Sequence, residues 1–590
     1  MLSSAQMSEC ASRGVRLPGS GVCLTGFAAT SRPVIVAGAQ KGMDVAEQQK
    51  GIDAAHRRVI FASSLGTVFE WYDFYLYGSL VTIITKKFFS GMNDTTAFLF
   101  ALLAFAAGFF VRPFGALVFG RLGDLVGRKH TFLITIVIMG ASTALVGCLP
   151  TYETIGFAAP VLFIALRLLQ GLALGGQYGG AATYIAEHAP PGRRGLYTSW
   201  IQTTATLGFF LSLLVILACR SFMPAGYFED QGWRVPFLLS TVLLLISVYI
   251  RLQLQESPAF QEMKSAGKLS KAPLTESFAK WGNLKIVLLA LFGATAGQAV
   301  VWYGGQFYTL LFLEKTLQVD STSAQLVMAT ALIIATPFFV VFGSLSDKIG
   351  RKKIVLAGCL LAALTYFPIF QGITHFANPA LDAAVKSSPV TVLADPADCS
   401  FQFDPIGKKK YTSGCDLAKG ALARMGVSYS NEASASGPAR VKIGEQEIEI
   451  LSLEPELNAA DYKKGQDSVT AKLKEAMAAA GYPSKADMQA FNFPMVILLC
   501  TILVLYVTMV YGPIAAWLVE LFPVHIRYTS MSLPYHIGNG WFGGFLPVTS
   551  FAIVAATGNI YNGLWYPIVV ASITIVIGGL FLRETKDSPA

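Results

Sequence analysis

GRLGDLVGRK, residues 120–129, recurs in pattern as GSLSDKIGRK at residues 343–352. Both copies place a glycine, an aspartate, a second glycine and a basic pair at the same intervals, and apolar sequence flanks each copy. A basic segment between apolar runs could serve only to orient a membrane protein. That interpretation does not explain the fixed aspartate and glycine positions, so we expect the copies to mark equivalent points in two related halves.

The composition predicts a membrane protein. The 590 residues are 53% hydrophobic and 14% charged, with a mean hydropathy of +0.53, whereas soluble domains carry about 25% charged residues. Apolar runs of about 20 residues can cross a bilayer as helices, which satisfy their own backbone hydrogen bonds in lipid. We place twelve such spans at residues 59–84, 96–119, 131–149, 157–186, 197–219, 235–254, 285–312, 323–343, 354–373, 493–519, 528–555 and 563–582.

The net charge of +9 follows the predicted topology and does not indicate a nucleic-acid partner. Basic residues concentrate after spans 2, 4, 8 and 10, and few lie in the short loops on the other side. This distribution predicts that both termini are cytoplasmic, by the positive-inside rule. The cytoplasmic group is Arg121, Arg128, Lys129, Arg193, Arg194, Lys348, Arg351, Lys352, Lys353 and Arg527; the opposite loops hold Lys86, Lys87, Arg220, Arg234 and Lys315.

The first 57 residues are expected to form a cytoplasmic tail. Residues 1–42 contain Cys10 and Cys23 but no sustained apolar segment after a basic start, so they do not resemble a cleaved signal peptide. Translation from Met1 and translation from Met43 both remain open.

A second repeat gives the length of an insertion in the second half. EHAPPGRR (187–194) and ELFPVHIR (520–527) share a glutamate, a proline three residues later and an arginine at plus seven. The offset between copies rises from 223 residues for the first motif to 333 for the second. About 110 residues are therefore inserted in the second half, and the hydrophilic segment 375–492, between spans 9 and 10, accommodates them. Span parity predicts an extracytoplasmic location.

The insertion is long enough to form a small α/β domain. Residues 439–450 alternate as a strand does, and residues 468–483 are helix-like with glycine and proline at their end. Cys399 and Cys415 are a candidate disulfide in that compartment; the alternative is two unpaired thiols. No cysteine or histidine spacing resembles a metal site, so we expect no metal and no cofactor.

The expected fold is an all-α membrane protein with twelve helices in two six-helix tandem halves and an α/β extracytoplasmic insertion. The predicted divisions are a tail (1–57), a first lobe (58–255), a central loop (256–283), helices 7–9 (284–374), the insertion (375–492), helices 10–12 (493–583) and a tail (584–590).

Two halves that each carry G-x-L-x-D-x-x-G-R-K resemble the major facilitator superfamily. Residues 62–80 (ASSLGTVFEWYDFYLYGSL) and 166–195, which include GGQYGG, are similar to the metabolite:proton symporter family, whose members carry 2-oxoglutarate, citrate, shikimate, or proline and betaine. Such members commonly have glutamate where this chain has Gln177, which puts that side chain's role in charge balance or proton coupling in doubt. The long insertion is a second departure.

The resemblance implies that the repeated motifs form a gate latch. In it, an aspartate caps a helix of the other half when the carrier is open outward, and an arginine pairs with the glutamate ending the fourth helix of its own half. A carboxylate at a helix N-terminus is favourable by about a kcal/mol, enough to bias two conformations. The latch residues are Gly120, Asp124, Gly127, Arg128, Lys129, Glu187 and Arg194, and then Gly343, Asp347, Gly350, Arg351, Glu520 and Arg527.

Ionisable residues inside spans usually face a cavity or a partner because they are costly in lipid. Span 1 carries Glu70 and Asp73 three residues apart, and span 4 carries Arg167. A guanidinium matches a carboxylate in a two-pronged contact, so Arg167 could bind an anionic substrate, pair with either acid, or alternate between them. Loss of Arg167 to the substrate would favour protonation of the carboxylate, and we favour Asp73 for proton coupling. The alternative is a permanent ion pair that holds two helices together.

Other polar and aromatic residues in the spans are candidates for substrate specificity. Span 4 continues with Gln170, Gln177 and Tyr178, and span 5 carries Gln202. Span 7 contributes Trp302, Tyr303 and Gln306, although aromatic residues in spans often serve only packing or interface anchoring.

We therefore expect a secondary active transporter of the plasma (inner) membrane, not an enzyme, that carries a small organic carboxylate or zwitterion together with protons. A proton-antiport exporter, or a sensor that uses the insertion, remains an alternative. We expect a monomer in the lipid bilayer and leave open an extracytoplasmic partner of the insertion. The residues identify neither the substrate nor the direction of transport.

Overall fold

The computed structural model describes residues 54–89, 108–224, 226–253, 255–400, 410–434 and 437–586. Nearly all of the predicted tail 1–57, with Cys10, Cys23 and the alternative start at Met43, lies outside these ranges. Residues 96–107 of the second predicted span also lie outside them.

The first half is built from helices that follow the apolar runs. They are α1 (Ala54–Phe88), α2 (Arg112–Leu125), α3 (Arg128–Cys148), α4 (Ala158–His188), α5 (Arg194–Phe222) and α6 (Arg234–Leu252). Helices α2 and α4 pack at very short range because α4 is rich in glycine. A Cβ on Gly175 would lie only 2.1 Å from the carbonyl oxygen of Arg112.

The second half repeats this arrangement. Its helices are α7 (Trp281–Thr316), α8 (Ser321–Ile349), α9 (Arg351–Ala377), α10 (Phe493–Leu521), α11 (Val524–Val554) and α12 (Asn562–Phe581). Helix α7 contains three π-helical turns, at Leu291–Thr295, Gly304–Tyr308 and Phe312–Thr316. Such turns inside α-helices are frequent at functional sites, and the middle one follows Trp302 and Tyr303 directly.

Over the described residues, the ten helices α3–α12 are each long and apolar enough to cross a bilayer. Their outer faces carry exposed leucines, including Leu214, Leu245, Leu364 and Leu580. Contiguous apolar surface of this kind is unusual on soluble monomers and fits contact with lipid tails.

The repeated motifs, which lie mostly between the predicted spans, are themselves mostly helical, so the helices extend beyond the predicted spans. Residues 120–125 belong to α2, and only Val126 and Gly127 separate α2 from α3; Gly350 alone separates α8 from α9. Gly127 has φ 131° and Gly350 has φ 113°, backbone conformations that a side chain disfavours. These glycines allow the chain to reverse within one or two residues.

The central segment 256–283 is also more ordered than a loop. It contains helices at Pro258–Ser265 and Pro273–Phe278, each with proline at its start, where the missing N–H costs nothing. Ser257 caps the first of them by accepting a hydrogen bond from the backbone N–H of Phe260.

A four-stranded sheet lies between α9 and α10 in sequence. Its strands are β1 (Val390–Ala394), β2 (Tyr429–Ala433), β3 (Ala439–Ile443) and β4 (Gln446–Ile450), in the order β2-β1-β3-β4. Strand β1 is parallel to β2 and antiparallel to β3, and β3 is antiparallel to β4. Helices Pro379–Ser387, Gly414–Arg424 and Ala459–Ala479 accompany it. We call residues 378–482 the sheet segment.

The single strand expected at residues 439–450 is two strands. Gly444, with φ 58°, allows a tight turn between Ile443 and Gln446, which pair directly. The helix expected at 468–483 begins earlier, at Ala459, where the Asn458 side chain accepts hydrogen bonds from two backbone N–H groups. Asparagine at this position is a strong helix start signal, so the earlier start was predictable from the sequence.

The sheet segment packs on helices of the second half. The backbone N–H of Tyr429 in β2 donates to the carbonyl of Gly558, just after α11, at 2.6 Å. The Asn378 side chain donates to the carbonyl of Leu317, between α7 and α8, at 3.0 Å. The segment is therefore joined to the ends of three helices of that half.

Cys399 and Cys415 are joined by a disulfide, with 5.3 Å between their Cα atoms. It closes a loop of sequence separation 16, for which chain entropy gives a stabilisation of about 3 kcal/mol. Replacing both cysteines with serine should accelerate proteolysis of the sheet segment without changing cleavage elsewhere. Serine at Cys148, an exposed free cysteine, is the control. Free thiols at both positions in the oxidised protein, seen by mass spectrometry, would contradict the pairing.

Candidate functional site

The first copy of the repeated motif, residues 120–129, contacts α11 where its α-helical part begins, at Arg527. Asp124 accepts hydrogen bonds from the backbone N–H groups of Tyr528 at 3.3 Å and Thr529 at 2.9 Å. Its own half supplies Arg128, whose Nη1 lies 2.9 Å from the same carboxylate. Asp124 and Arg128 are almost fully buried. The aspartate therefore bridges the two halves at a helix N-terminus, where the helix dipole favours negative charge.

The second copy of this motif, residues 343–352, makes the equivalent contact. Asp347 accepts hydrogen bonds from the backbone N–H groups of Gly195 and Leu196, at the start of α5, both at 2.8 Å. Arg351 lies 2.8 Å from Asp347 and 3.0 Å from Glu520 at the end of α10. Each half thus caps a helix of the other half with its own aspartate.

In the second repeated motif, residues 187–194 and 520–527, the arginine of each copy pairs with the glutamate of the other copy. Arg527 Nη1 lies 3.2 Å from Glu187, and Arg194 Nη1 lies 3.9 Å from Glu520. Within the first half, Arg128 Nε is 3.6 Å from Glu187. Each glutamate is therefore shared between an arginine of its own half and an arginine of the other half. The repeated motifs predicted the pairing within each half but not the exchange between the halves.

A third repeated pair supports the same network and was missed in the sequence. Glu256, after α6, accepts hydrogen bonds from the backbone N–H groups that begin α3, and Glu584, after α12, does the same at the start of α9. The next residues, Ser257 and Thr585, donate to Glu187 and Glu520, both at 2.6 Å. The signal was available: glutamate followed by a hydroxyl residue ends each half.

Glycines set the spacing between the halves at this network. A Cβ on Gly343 would lie 2.3 Å from the Cβ of Ser199, and a Cβ on Gly120 would lie 2.9 Å from the Cα of Thr529. Both neighbours belong to the opposite half, so neither glycine tolerates a side chain unless the helices separate.

Gly343→Ala should therefore disfavour the joined arrangement of the halves. Overpacking of this kind costs about 1–3 kcal/mol, so we expect slower transport and greater labelling of cysteines placed between α5 and α8. Gly282→Ala is the matched control because a Cβ there would meet nothing within 4 Å. Equal labelling of both variants would contradict the prediction.

The candidate coupling residues lie deeper, at membrane depth, and all are buried. Asp73 accepts hydrogen bonds from Thr143 on α3 at 2.9 Å and from Ser240 on α6 at 2.7 Å. An ionised carboxylate can accept about four hydrogen bonds, so the two hydroxyl donors use only about half of that capacity. The full buried set is Glu70, Asp73, Arg167, Gln170, Gln177, Tyr178, Gln202, Trp302, Tyr303 and Gln306.

Arg167 is connected to Asp73 through two intervening side chains and forms no ion pair with it. Arg167 Nη1 donates to Gln170 Oε1 at 2.5 Å, and Gln170 Nε2 donates to Thr143 at 2.9 Å. Thr143 in turn donates to Asp73. The guanidinium also stacks on the ring of Tyr77, 3.7 Å from its centroid. The helices are spaced so that Gln170 and Thr143 fit between Arg167 and Asp73. The direct Arg167–Asp73 pairing, one of the alternatives left open by the sequence, is not observed.

Glu70 faces a different arginine. It lies one turn from Gly66, where a Cβ would meet the Arg251 guanidinium at 1.8 Å, and Arg251 contributes an attractive electrostatic interaction to Glu70. Arg251 stacks on Phe132, 3.5 Å from the ring centroid. Glu70 and Asp73 therefore have different nearest arginines, although Asp73 and Arg112 also act electrostatically on Glu70.

Polar residues of α4 and α5 meet aromatic residues of the second half. Gln202 donates to the Tyr178 hydroxyl at 2.8 Å, and the Tyr178 ring stacks on Tyr535 of α11 with 3.6 Å between centroids. The Tyr511 and Tyr535 hydroxyls are 2.7 Å apart. Gln177 is fully buried, and neither of its amide atoms has a hydrogen-bond partner among the described residues. Its role stays a prediction.

Helix α7 supplies the facing aromatic wall. The Trp302 ring lies 5.4 Å from that of Trp71 on α1, and the Tyr303 ring lies 6.1 Å from that of Phe109 before α2. Gln306 is buried one turn further along α7. The predicted aromatic residues of span 7 therefore meet span 1 at Trp71, and no described contact joins them to the predicted Glu70 or Asp73.

Three ionisable residues at this depth were missed in the sequence. They are Arg112 at the start of α2, Arg251 in α6 and His536 in α11, whose two ring nitrogens lack hydrogen-bond partners in the described part of the chain. Each lies inside a predicted span, and charge within a span was a sufficient signal for all three. Among the residues that the structure describes, no group of three or more histidine, cysteine, aspartate or glutamate residues could hold a metal ion.

Comparison with known proteins decides the family. Residues 59–280 match the model described as "Sugar (and other) transporter", and residues 190–385 match "MFS/sugar transport protein". Alpha-ketoglutarate permease of Escherichia coli K12 is 35% identical over 322 residues, covering 54% of this chain and 72% of the relative. The chain belongs to the major facilitator superfamily. It is a multi-pass membrane transporter and not an enzyme.

Other superfamily members give the range of similarity. The inner membrane metabolite transport protein YhjE of E. coli K12 is 36% identical, covering 57% of this chain and 77% of that protein. The proline/betaine transporter of the same strain is 33% identical, covering 53% and 64%. The solved proton:xylose symporter XylE is 15% identical with a TM-score of 0.56, covering 91% of this chain and 98% of that one. The structural likeness shows the superfamily fold alone.

Proposed function

We propose that this protein is a proton-coupled symporter of a small organic carboxylate or zwitterion. It works by alternating access between two six-helix halves, twelve spans in all. The observation that carries this proposal is the chain of hydrogen bonds from Arg167 through Gln170 and Thr143 to Asp73. The named functions of the relatives, alpha-ketoglutarate permease and proline/betaine transporter, support a carboxylate-bearing substrate.

The hydrogen-bond chain from Arg167 to Asp73 provides a physical route for coupling substrate binding to protonation. Ionised Asp73 is stabilised by its two hydroxyl donors and by the positive field of Arg167. A substrate carboxylate that engages Arg167 withdraws the guanidinium from Gln170, and the hydrogen-bond chain then loses its charged end. Asp73 becomes protonated in the loaded state, so substrate and proton cross together.

The motif network serves as the latch of the cytoplasmic gate in this proposal. Its two caps and two exchanged glutamate–arginine pairs hold the halves together on one side, which corresponds to access from the opposite side. The sheet segment then belongs to an extracytoplasmic domain inserted between helices 9 and 10, and both termini are cytoplasmic. Residues 58–255 form the first lobe, and residues 284–374 together with 493–583 form the second.

Uptake into proteoliposomes with an imposed pH gradient tests the function. We expect saturable accumulation of at least one member of a panel of 2-oxoglutarate, citrate, shikimate, proline and glycine betaine when the outside is acidic, and loss of accumulation when a protonophore collapses the gradient. Accumulation driven only by the opposite gradient would indicate an antiporter. Saturable binding without flux would indicate a sensor.

A further inference from the structure

Arg112 shares a cavity with Arg167. The cavity lies between α1, α2 and α4, has a volume of about 30 Å³, and is lined by both arginines together with Phe74, Phe109 and Gln170. A space of this size admits one or two water-sized groups. It therefore matches a single small polar group, such as a carboxylate, and not a whole metabolite.

Neither guanidinium is paired directly with a carboxylate of the described residues; Glu70 and Asp73 act on Arg112 and Arg167 only at longer range. Nε of Arg112 and Nε and Nη2 of Arg167 are buried without a hydrogen-bond acceptor in the ranges the structure describes, and no ion pair there includes either residue. A guanidinium stays charged in a protein, and a buried charge without a partner is strongly unfavourable. Each arginine instead stacks on an aromatic ring, Arg112 on Phe109 at 4.1 Å and Arg167 on Tyr77 at 3.7 Å.

Close helix packing places both arginines at this point. A Cβ on Gly171 would lie 2.3 Å from the carbonyl oxygen of Gly108, so α4 can approach the start of α2 only because residue 171 has no side chain. Gly171 is one turn beyond Arg167, and Gly108 is one turn before Arg112. The glycine contact thus fixes the relative position of the two guanidiniums.

We infer that Arg112 and Arg167 together bind the carboxylate of the substrate, and that the preferred substrate carries net negative charge. This inference rests on the proposed transport function. Two guanidiniums can donate two pairs of parallel N–H bonds to the oxygens of one carboxylate. Arg112 also lies within electrostatic range of Tyr303, Tyr511 and Tyr535, so it is the guanidinium that borders the second half.

The charge of the surrounding groups selects an anion over a zwitterion. The ionisable groups at this depth in the first half are the guanidiniums of Arg112, Arg167 and Arg251 and the carboxylates of Glu70 and Asp73. With both acids ionised their sum is +1, and with a proton on Asp73 it is +2. A zwitterion leaves that charge uncompensated, whereas an anion with one or two carboxylates neutralises it.

Transport by the full-length protein and two variants tests the inference. We expect the wild type to accumulate an anion of the panel, 2-oxoglutarate, citrate or shikimate, at least tenfold better than glycine betaine or proline. Arg112→Lys keeps the charge but loses the planar fork, so KM for the anion should rise about tenfold with kcat changed less. Arg112→Gln should lower kcat/KM about a hundredfold. Lys268→Gln, which removes an exposed charge from the central segment, is the matched control.

The outcomes separate the two proposals. Preferred accumulation of betaine or proline by the wild type, or an unchanged KM in purified, monodisperse Arg112→Lys and Arg112→Gln, overturns the inference while leaving the transporter in place. Absence of accumulation of every panel member by the wild type overturns the proposed function and the inference with it.

Discussion

Asp73→Asn is expected to abolish proton-driven accumulation of substrate while exchange of substrate across the membrane continues. Asparagine is close to aspartate in size: its amide oxygen can still accept a hydrogen bond from one of the two hydroxyls of Thr143 and Ser240, and its NH2 group can donate to the other, so the packing of α1 against α3 and α6 is retained. It cannot take up or release a proton. The carrier should therefore still reorient with substrate bound but should no longer respond to a pH gradient.

Two assays on the same proteoliposomes measure this effect. Net uptake under an inward proton gradient should fall to the level of protein-free vesicles, and counterflow with internal substrate and no gradient should stay within about threefold of wild type. Asp230→Asn is the control, because Asp230 is an exposed carboxylate whose partner is Lys87, and surface ion pairs contribute little.

The assignment of the proton to Asp73 can be rejected clearly. Unchanged accumulation by Asp73→Asn would remove it from the coupling mechanism. If Glu70→Gln instead abolished accumulation and preserved counterflow, the proton would belong to Glu70, and the Glu70–Arg251 surroundings would be the coupling site.

The positions of the helices were predictable because lipid imposes a simple rule on sequence. The start predicted for helix 10, residue 493, is the observed start of α10, and most other ends agree within a few residues. The two repeats also indicated the two related halves and the location of the extra residues. The hairpin at residues 439–450 was missed because its two short alternating stretches were interpreted as one strand, although the apolar positions change from odd numbers up to Ile443 to even numbers from Ile448.

The sequence indicated the chemistry of the candidate site better than its contacts. Arg167 and Asp73 were identifiable as costly charges in lipid, but the side chains that connect them, Gln170 and Thr143, lie on two different helices. The exchange of Arg194 and Arg527 between halves depends on how the lobes meet. Contacts of this kind follow from three-dimensional packing and leave no local pattern in a single sequence.

Asp347→Asn is expected to shift the protein towards the conformation in which the motif side of the two halves is open. The Asp347 carboxylate accepts two backbone hydrogen bonds at the start of α5 and lies against Arg351. Asparagine has one acceptor oxygen and no charge, so one backbone N–H loses its partner and the helix dipole loses its counter-charge. Hydrogen bonds to charged groups contribute about 1.5–3 kcal/mol, which corresponds to a change in population of about 10- to 150-fold.

Spin labels on exposed residues of opposite halves can report this shift. With the free cysteines replaced, labels at Arg121→Cys and Lys348→Cys should show a longer distance in Asp347→Asn than in the parent protein. Asp320→Asn is the matched control, since Asp320 caps the start of its own helix α8 through Ser323 and asparagine is an equally good cap. Asp124→Asn should act in the same direction as Asp347→Asn because it removes the equivalent cap. Unchanged distances in both motif variants would show that the caps do not hold the halves together, and the network would then be structural within each half.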